Sequence, residues 1–262
     1  MTATPDLTVR QGQYGPSAPR STGMVRVVSW NIQFGVEVDA AALALAEHPH
    51  LRDADIILLQ EMDEVGTARL AELLSLNFVY AAPGVHQQTG RNFGNAVLAP
   101  WPLGEPKAVL LPHKASVRGQ SRVLVLTEVM VSGRAIDAGS VHTEVPSMGS
   151  AKRLRQFDEI AAAAARRVAA RAIVGGDFNT VSRRGIAALT ERMGAVGAVR
   201  VSTGAGTTLR RSGQEFTLDH IFARGLEPVA TGVVTGSMAS DHRPLWVTLR
   251  ADDREVLQSA GV

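Results

Sequence analysis

The sequence predicts an α/β domain built from two packed β-sheets flanked by helices, and three observations carry that expectation. Strand-like apolar runs outnumber helical ones, several of them pair as hairpins, and the helices are interspersed without the regular alternation of a doubly wound parallel sheet. No repeat, heptad or long internal linker divides the chain of 262 residues, so one domain is expected over residues 24–251.

Residues 1–23 are rich in Thr, Ser, Pro, Gly and Gln and read as a disordered N-terminal arm. On that reading a chain starting at Met24 still forms the complete domain. Val25, Val27 and Val28 open a buried strand that runs to Asn31. Residues 39–47 form a helix with Asp39 as its N-cap. The run Ile56-Ile57-Leu58-Leu59 has the continuous apolar character of a strand covered on both faces. A second amphipathic helix covers 67–74, and strands follow at 78–82 and 94–98, closed by Pro100 and Pro102. Runs 123–131 and 134–142 make a hairpin about Ser132-Gly133. The longest helix is expected over 150–171, with Leu154, Phe157, Ile160 and Ala161 on one stripe. The strand Ala172-Ile173-Val174 ends at Asp177. A short helix over 184–193, a Gly/Thr-rich loop over 202–208 and strands at 217–223, 229–235 and 244–249 complete the domain. Residues 252–262 read as a polar, frayed tail.

Composition narrows the function classes. Hydrophobic residues make up 45% and charged residues 20%, ordinary for a soluble globular protein. No apolar run approaches a membrane span, and residues 1–23 lack the apolar core of a secretory signal. The absence of cysteine excludes disulfides, thiolate zinc sites and thiol nucleophiles, and fits an expected cytoplasmic location. A net charge of +2 and a pI near 9.4 suit a polyanionic substrate without identifying one.

The chemistry-bearing residues sit at the ends of the apolar runs, where a rigid sheet holds catalytic loops. Glu61 follows a buried strand, where a carboxylate is costly unless paired or metal-bound, and a hard divalent cation takes one or two carboxylates plus water. Asn31 ends the first strand and either caps a turn or holds the metal carboxylate or its water. In Gly175-Gly176-Asp177-Phe178-Asn179 the glycines admit close backbone approach. Asp177 and Asn179, two apart on extended chain, point to one side and either orient water and phosphate or form an Asx turn. Asp241-His242, with Asp219-His220 upstream, suggests an imidazole oriented by a carboxylate, and His142 ends another strand. His48, His50, His86 and His113 read as structural. The pairs Arg183-Arg184 and Arg210-Arg211 either grip substrate phosphates or are ordinary surface arginines. No Gly-x-Ser-x-Gly elbow, Walker A loop or His-Glu-x-x-His helix is present.

Taken in order, Ser29-Trp30-Asn31-Ile32, Leu59-Gln60-Glu61, Gly94-Asn95-Ala96-Val97-Leu98, Val141-His142, Gly176-Asp177-Phe178-Asn179, Leu218-Asp219-His220-Ile221-Phe222 and Ser240-Asp241-His242 resemble the endonuclease/exonuclease/phosphatase superfamily. The resemblance covers Val25 to about Arg250. It implies a DNase I-like four-layer α/β sandwich of two mixed sheets, with Mg²⁺ or Mn²⁺ on Glu61 assisted by Asn31 and Asp241. It further implies that Asp177 and Asn179 position water and phosphate. His242, oriented by Asp219, would act as base or polarise the phosphate, and His142 would contact phosphate or protonate the leaving group. Asn95, Arg183, Arg184, Arg210 and Arg211 are the expected substrate-phosphate contacts.

Abasic-site endonucleases usually carry Tyr where His142 stands and continue differently after Glu61, so Met62-Asp63-Glu64 argues against that branch. Scarce aromatics weaken a sphingomyelinase reading. The expected activity is metal-dependent phosphodiester hydrolysis, with nucleic acid as the first substrate class. The alternatives are a phosphatase or phosphodiesterase acting on small phosphoesters, inositol phosphates or lipid headgroups, and a silent relative that binds phospho-ligands or protein. No stable membrane insertion is expected, and the sequence names no protein partner.

Overall fold

In the computed structural model, residues 7–16, 23–87, 89–114, 120–236 and 239–251 are described. The strands of the N-terminal half are β1 (Thr8–Gly12), β2 (Val25–Asn31), β3 (Ile56–Met62), β4 (Asn77–Ala82), β5 (Gly94–Ala99), β6 (Lys107–Leu110) and β7 (Val123–Val131). They continue as β8 (Arg134–His142), β9 (Arg171–Asp177), β10 (Val199–Arg200), β11 (Leu209–Arg211), β12 (Gln214–Phe216), β13 (Asp219–Arg224), β14 (Leu226–Val233) and β15 (Leu245–Ala251). The α-helices are α1 (Val38–Glu47), α2 (Glu64–Leu73), α3 (Ser150–Ala165) and α4 (Arg183–Gly194).

One sheet runs β1-β4-β5-β3-β2-β15-β14 and the other β10-β13-β9-β8-β7-β6. Both are mixed, because β2–β3 and β8–β9 are parallel pairs. Side-chain alternation along each strand builds the layers. Val27, Ile56 and Leu58 face the second sheet and meet Val125, Ile173 and Ile221 in a central core. Their neighbours Val28, Ile57 and Leu59 face outward onto Ala41, Leu45 and Leu70 of α1 and α2. On the far side Leu126, Val174 and Phe222 pack on Phe157, Ile160, Leu189 and Met193 of α3 and α4. The result is helix, sheet, sheet, helix. Burial on both faces is why β3 lacks a polar alternation until Gln60.

Several expected elements shift, each for a local reason. Helix α1 starts at Val38, so Asp39 lies in its first turn and does not cap it. Asp63 caps α2 by accepting from the Gly66 amide at 2.6 Å. Helix α3 ends at Ala165, and the 3.1 Å bond from the Ala169 amide to Asp137 helps turn the chain into β9. The hairpin about Ser132-Gly133 forms as expected, with positive φ at both residues (51° and 78°). The segment after residue 208 is a small hairpin, β11–β12.

The expectation of a wholly disordered arm is corrected. Thr8–Gly12 pairs antiparallel with β4 as the edge of the seven-stranded sheet, because Leu7 and Val9 have a core to cover and Tyr14 stacks on Phe78. Residues 1–6, 17–22 and the tail 252–262 lie outside the described residues. Deleting residues 1–23 therefore should not be silent. Re-exposing two half-buried aliphatic side chains and an open strand edge should cost about 2–3 kcal/mol. For a domain this size that lowers the melting midpoint by roughly 4–10 °C. An unchanged midpoint in differential scanning fluorimetry would show that β1 contributes nothing.

Candidate active site

The site lies where β2, β3, β8 and β9 end and β13 begins. Asn31 and Gln60 are register neighbours across β2–β3, His142 and Asp177 across β8–β9, and Asp177 and Asp219 across β9–β13. Parallel pairing of β2–β3 and β8–β9, with the antiparallel start of β13 beside the end of β9, thus delivers these polar residues to one edge. A polar stitch ties the sheets together beneath them: the Gln60 amide donates to Ser140 Oγ at 3.0 Å, and Ser140 donates to the Leu59 carbonyl at 2.8 Å.

The local backbone is strained in the same place. Glu61 has φ 59° at a register shift in β3, Asn179 has φ 46°, and Gln33 and Phe34 have φ 38° and 60°. Each such non-glycine residue costs about 1–2 kcal/mol, and their clustering marks a site where side-chain aim outranks backbone comfort. Gly176 has φ 150°, and a Cβ there would overlap the Val141 carbonyl. That close approach lets β8 and β9 deliver His142 and Asp177 side by side.

Asn31 links the carboxylates. Its Nδ2 donates to Glu61 Oε1 and to Asp177 Oδ2, both at 3.1 Å, while its Oδ1 accepts from the Gln33 amide at 3.0 Å. Glu61 Oε2 accepts from the Phe34 amide at 3.2 Å. Burial raises the Glu61 carboxyl above its ordinary range despite the Asn31 hydrogen bond. Burial also pushes Asp177 up to about 7, with His242 opposing and Asp219 and Glu61 reinforcing.

The two imidazoles have opposite surroundings. Nδ1 of His242 meets Asp219 Oδ2 at 2.9 Å, and Nε2 lies 3.7 Å from Asp177 Oδ2. Burial pulls His242 down, but the charge and hydrogen bond of Asp219, with Asp177 and Asp241, overcome it and raise the ring to about 10. The loop bearing His242 is seated on the first sheet: Ser240 Oγ donates to the Asn31 carbonyl at 2.6 Å, and Trp30 Nε1 to the His242 carbonyl at 2.9 Å. His142 is buried beside a cation instead. Desolvation, Arg122 and His242 hold it well below its ordinary value. Its Nε2 lies 3.0 Å from Asn179 Nδ2 and 3.4 Å from Asp177 Oδ2.

The structure therefore brings together Asn31, Glu61, His142, Asp177, Asn179, Asp219 and His242. Asp241 is exposed beside them, its amide on Gln33 Oε1 at 3.2 Å. Asn95 is corrected: it is buried and its Nδ2 donates to the Val123 carbonyl at 2.6 Å, which makes it a link between the sheets rather than an open phosphate contact. Arg183 and Arg184 are exposed at the start of α4. Arg210 and Arg211 are exposed on β11, whose Leu209 bridges to His242 and whose preceding Thr208 carbonyl accepts from the Arg243 amide.

Sequence reasoning missed Arg153 and Arg122. Arg153 NH2 donates to the carbonyls of Phe178 and Asn179 (2.9 and 2.8 Å) and holds the Asn179 turn, yet on α3 it looks like one more surface cation. Arg122 carried a signal, since it directly precedes the buried run 123–131 just as Glu61 ends another.

A divalent cation fits the residues present. Asp177, Asp219 and His242 offer ligand atoms within 4.8 Å of one another, and among the described residues the buried Asp219 Oδ1 has no hydrogen-bond partner. With Glu61 close to Asp177 through Asn31, the pocket holds more buried carboxylate than its donors neutralise.

The model of the endonuclease/exonuclease/phosphatase family matches residues 28–242. The chain belongs to this family. Among solved structures, a family member from Beutenbergia cavernae is similar at 23% identity and TM-score 0.67, over 87% of this chain and 72% of that one. TDP2 of D. rerio, complexed with single-strand DNA product, is similar at 17% identity and TM-score 0.68, over 87% and 99%. The mannosyl-6-phosphatase of Bacteroides thetaiotaomicron is similar at 19% identity and TM-score 0.66, over 86% and 99%. These likenesses show the DNase I-like α/β sandwich. A curated relative, the UPF0294 protein VV2535 of Vibrio vulnificus, is 40% identical over 77 residues, 29% of this chain and 26% of that protein. The match thus spans about a quarter of the curated relative. Among the described residues no helix is long and apolar enough to cross a membrane.

Proposed function

We propose that this family member is a divalent-metal-dependent phosphoesterase that cleaves phosphodiesters by in-line attack of water, with nucleic acid as its first substrate class. The observation that carries the reading is the convergence at one sheet edge of the Asp219–His242 pair with the Glu61–Asn31–Asp177 cluster.

Glu61, with Asn31 and Asp241, would hold Mg²⁺ or Mn²⁺. When bound, the cation supplies Lewis-acid neutralisation of charge on the phosphate. Asp177 and Asn179 orient the attacking water and a phosphate oxygen. His242, kept positive by Asp219, donates toward the negative charge that builds on phosphorus-bound oxygen. Its high proton affinity favours this polarising role over that of a resting-state base. His142 contacts the phosphate as a neutral ring.

Nucleic acid is favoured by the β11–β12 hairpin, which carries exposed Arg210 and Arg211 directly against the His242 segment. Purified protein with Mg²⁺ or Mn²⁺ should hydrolyse a bis-aryl phosphodiester and single-stranded DNA. Failure on both, with correct folding, would sink the reading. Replacing Arg210 and Arg211 with Ala should flatten the salt dependence of DNA binding by about one to two units of slope. It should also impair DNA cleavage more than cleavage of the small ester. An unchanged slope would remove the hairpin from the substrate path and leave the small phosphoester as the better substrate class.

A further inference from the structure

Arg122 is a buried cation beside the site that neither the Glu61–Asn31–Asp177 cluster nor the Asp219–His242 pair uses. Its NH2 donates to Glu144 Oε1 at 3.1 Å, and its NH1 lies 3.0 Å from His142 Nδ1 and 3.2 Å from Nε2. Its guanidinium carbon stands 5.3 Å from the centroid of Phe93, whose ring in turn lies 5.9 Å from His142. Arg122, Glu144, Phe93 and His142 are all at least nine-tenths buried. Glu144 is itself fixed, because Oε1 accepts from the Val145 amide at 3.0 Å and the Glu144 amide donates to Gln156 Oε1 at 2.9 Å.

We propose that Arg122 is a positioning residue for the reaction: its guanidinium, held by Glu144 and laid over Phe93, fixes the His142 imidazole in the site. Burying an ion pair carries a large desolvation penalty, and an apolar pair of similar volume would hold the sheets at least as well. The two arms of the planar fork explain the retention of charge, since one grips the carboxylate while the other meets the imidazole, a geometry lysine cannot reproduce. Asn179 Nδ2 holds the ring from a second direction at 3.0 Å. The imidazole is thereby pinned between two elements, β8 with its neighbour β7 on one side and the β9–α4 turn on the other. Glu144 is thus a remote member of the site, acting through Arg122.

The inference rests on the reading of His142 as a site residue, so its test has one arm that needs no activity. In the metal-free protein, the ring carbon–proton NMR signal of His142 is identified by its loss in His142→Gln. It should shift or broaden in Glu144→Gln and Arg122→Lys, while the His220 signal stays put. Arg122→Lys keeps the buried charge and guards against misfolding. In the hydrolysis assay both variants should lose about 10–100-fold in kcat, the range for partners that orient a site residue, with KM little changed. An unmoved His142 signal in both variants overturns the proposal. So does a raised KM with kcat preserved, which would make Arg122 a direct substrate contact. If the wild-type protein hydrolyses no probe, the phosphoesterase reading fails by itself and the NMR comparison alone decides this one.

Discussion

Replacing His242 with Ala should lower kcat toward a bis-aryl phosphodiester by about 10²–10³-fold, the loss expected when one preorganised donor to a developing oxyanion is removed. Asp219→Asn should reach a comparable loss while leaving the ring in place, because an amide neither fixes the imidazole's proton nor balances its charge. The Asp219 pair also makes a stability prediction with a definite sign. The ring's pKa is raised in the folded state to about 10, from an ordinary 6.5. Its contribution is therefore complete below about pH 6.5 and fades as pH rises through about 10. The melting midpoint of the wild type should exceed that of Asp219→Asn most at about pH 6, and the gap should narrow steadily toward pH 10. A gap that widens with rising pH, or activity that survives both substitutions, would remove His242 from the site.

Much of the fold was legible because burial leaves a periodic record. The runs at 123–131 and 134–142 matched the hairpin bounds because both strands are covered on two faces and the Ser132-Gly133 turn demands positive φ. What escaped were elements whose burial is one-sided or borrowed. Strand β1 has a polar composition and becomes a strand only because β4 offers an open edge. The β11–β12 hairpin is mostly exposed and is held by Thr208 and Arg243, which no local pattern records. The same distinction runs through the site. Glu61, Asp177 and His242 stood out because a polar group at the end of an apolar run is costly. Arg122 obeys that rule at the start of a run, and its partner Glu144 follows just past the end of another. Asn95 shows the opposite error: its place in the chain resembled a substrate contact, and only the 2.6 Å bond to Val123 reveals that its amide is spent between the sheets.

Glu61→Gln should remove most of the cation affinity together with activity. The side chain keeps its shape, but its single carbonyl oxygen can accept from the Asn31 amide or the Phe34 amide and not from both, so the metal-free melting midpoint of the variant separates the lost hydrogen bond from the lost charge. Binding of Mn²⁺ should weaken by at least about tenfold, and kcat should fall by about a thousandfold because charge neutralisation at phosphorus goes with it. The metal-free protein adds a pH signature. Burial, reinforced by Asp219 and Glu61, lifts Asp177 from 3.8 to about 7 against the pull of His242. A carboxyl raised in the folded state withdraws stability as pH climbs from about 4 through 7, since ionising it costs more folded than unfolded. A cation on Glu61, close to Asp177 through Asn31, reverses that penalty by favouring the ionised Asp177 carboxyl, so apparent affinity should rise with pH up to about 7 and then level. Calorimetric titration at about pH 6, 7 and 8, in buffers of different ionisation enthalpy, should detect released protons only at the lower values. At a hundred times its dissociation constant the cation should add about 2.7 kcal/mol. For a domain of this size that is roughly 5–10 °C in melting midpoint, and the gain should be largely absent in Glu61→Gln. Equal stabilisation of the variant would move the cation away from Glu61 and onto the Asp177, Asp219 and His242 cluster.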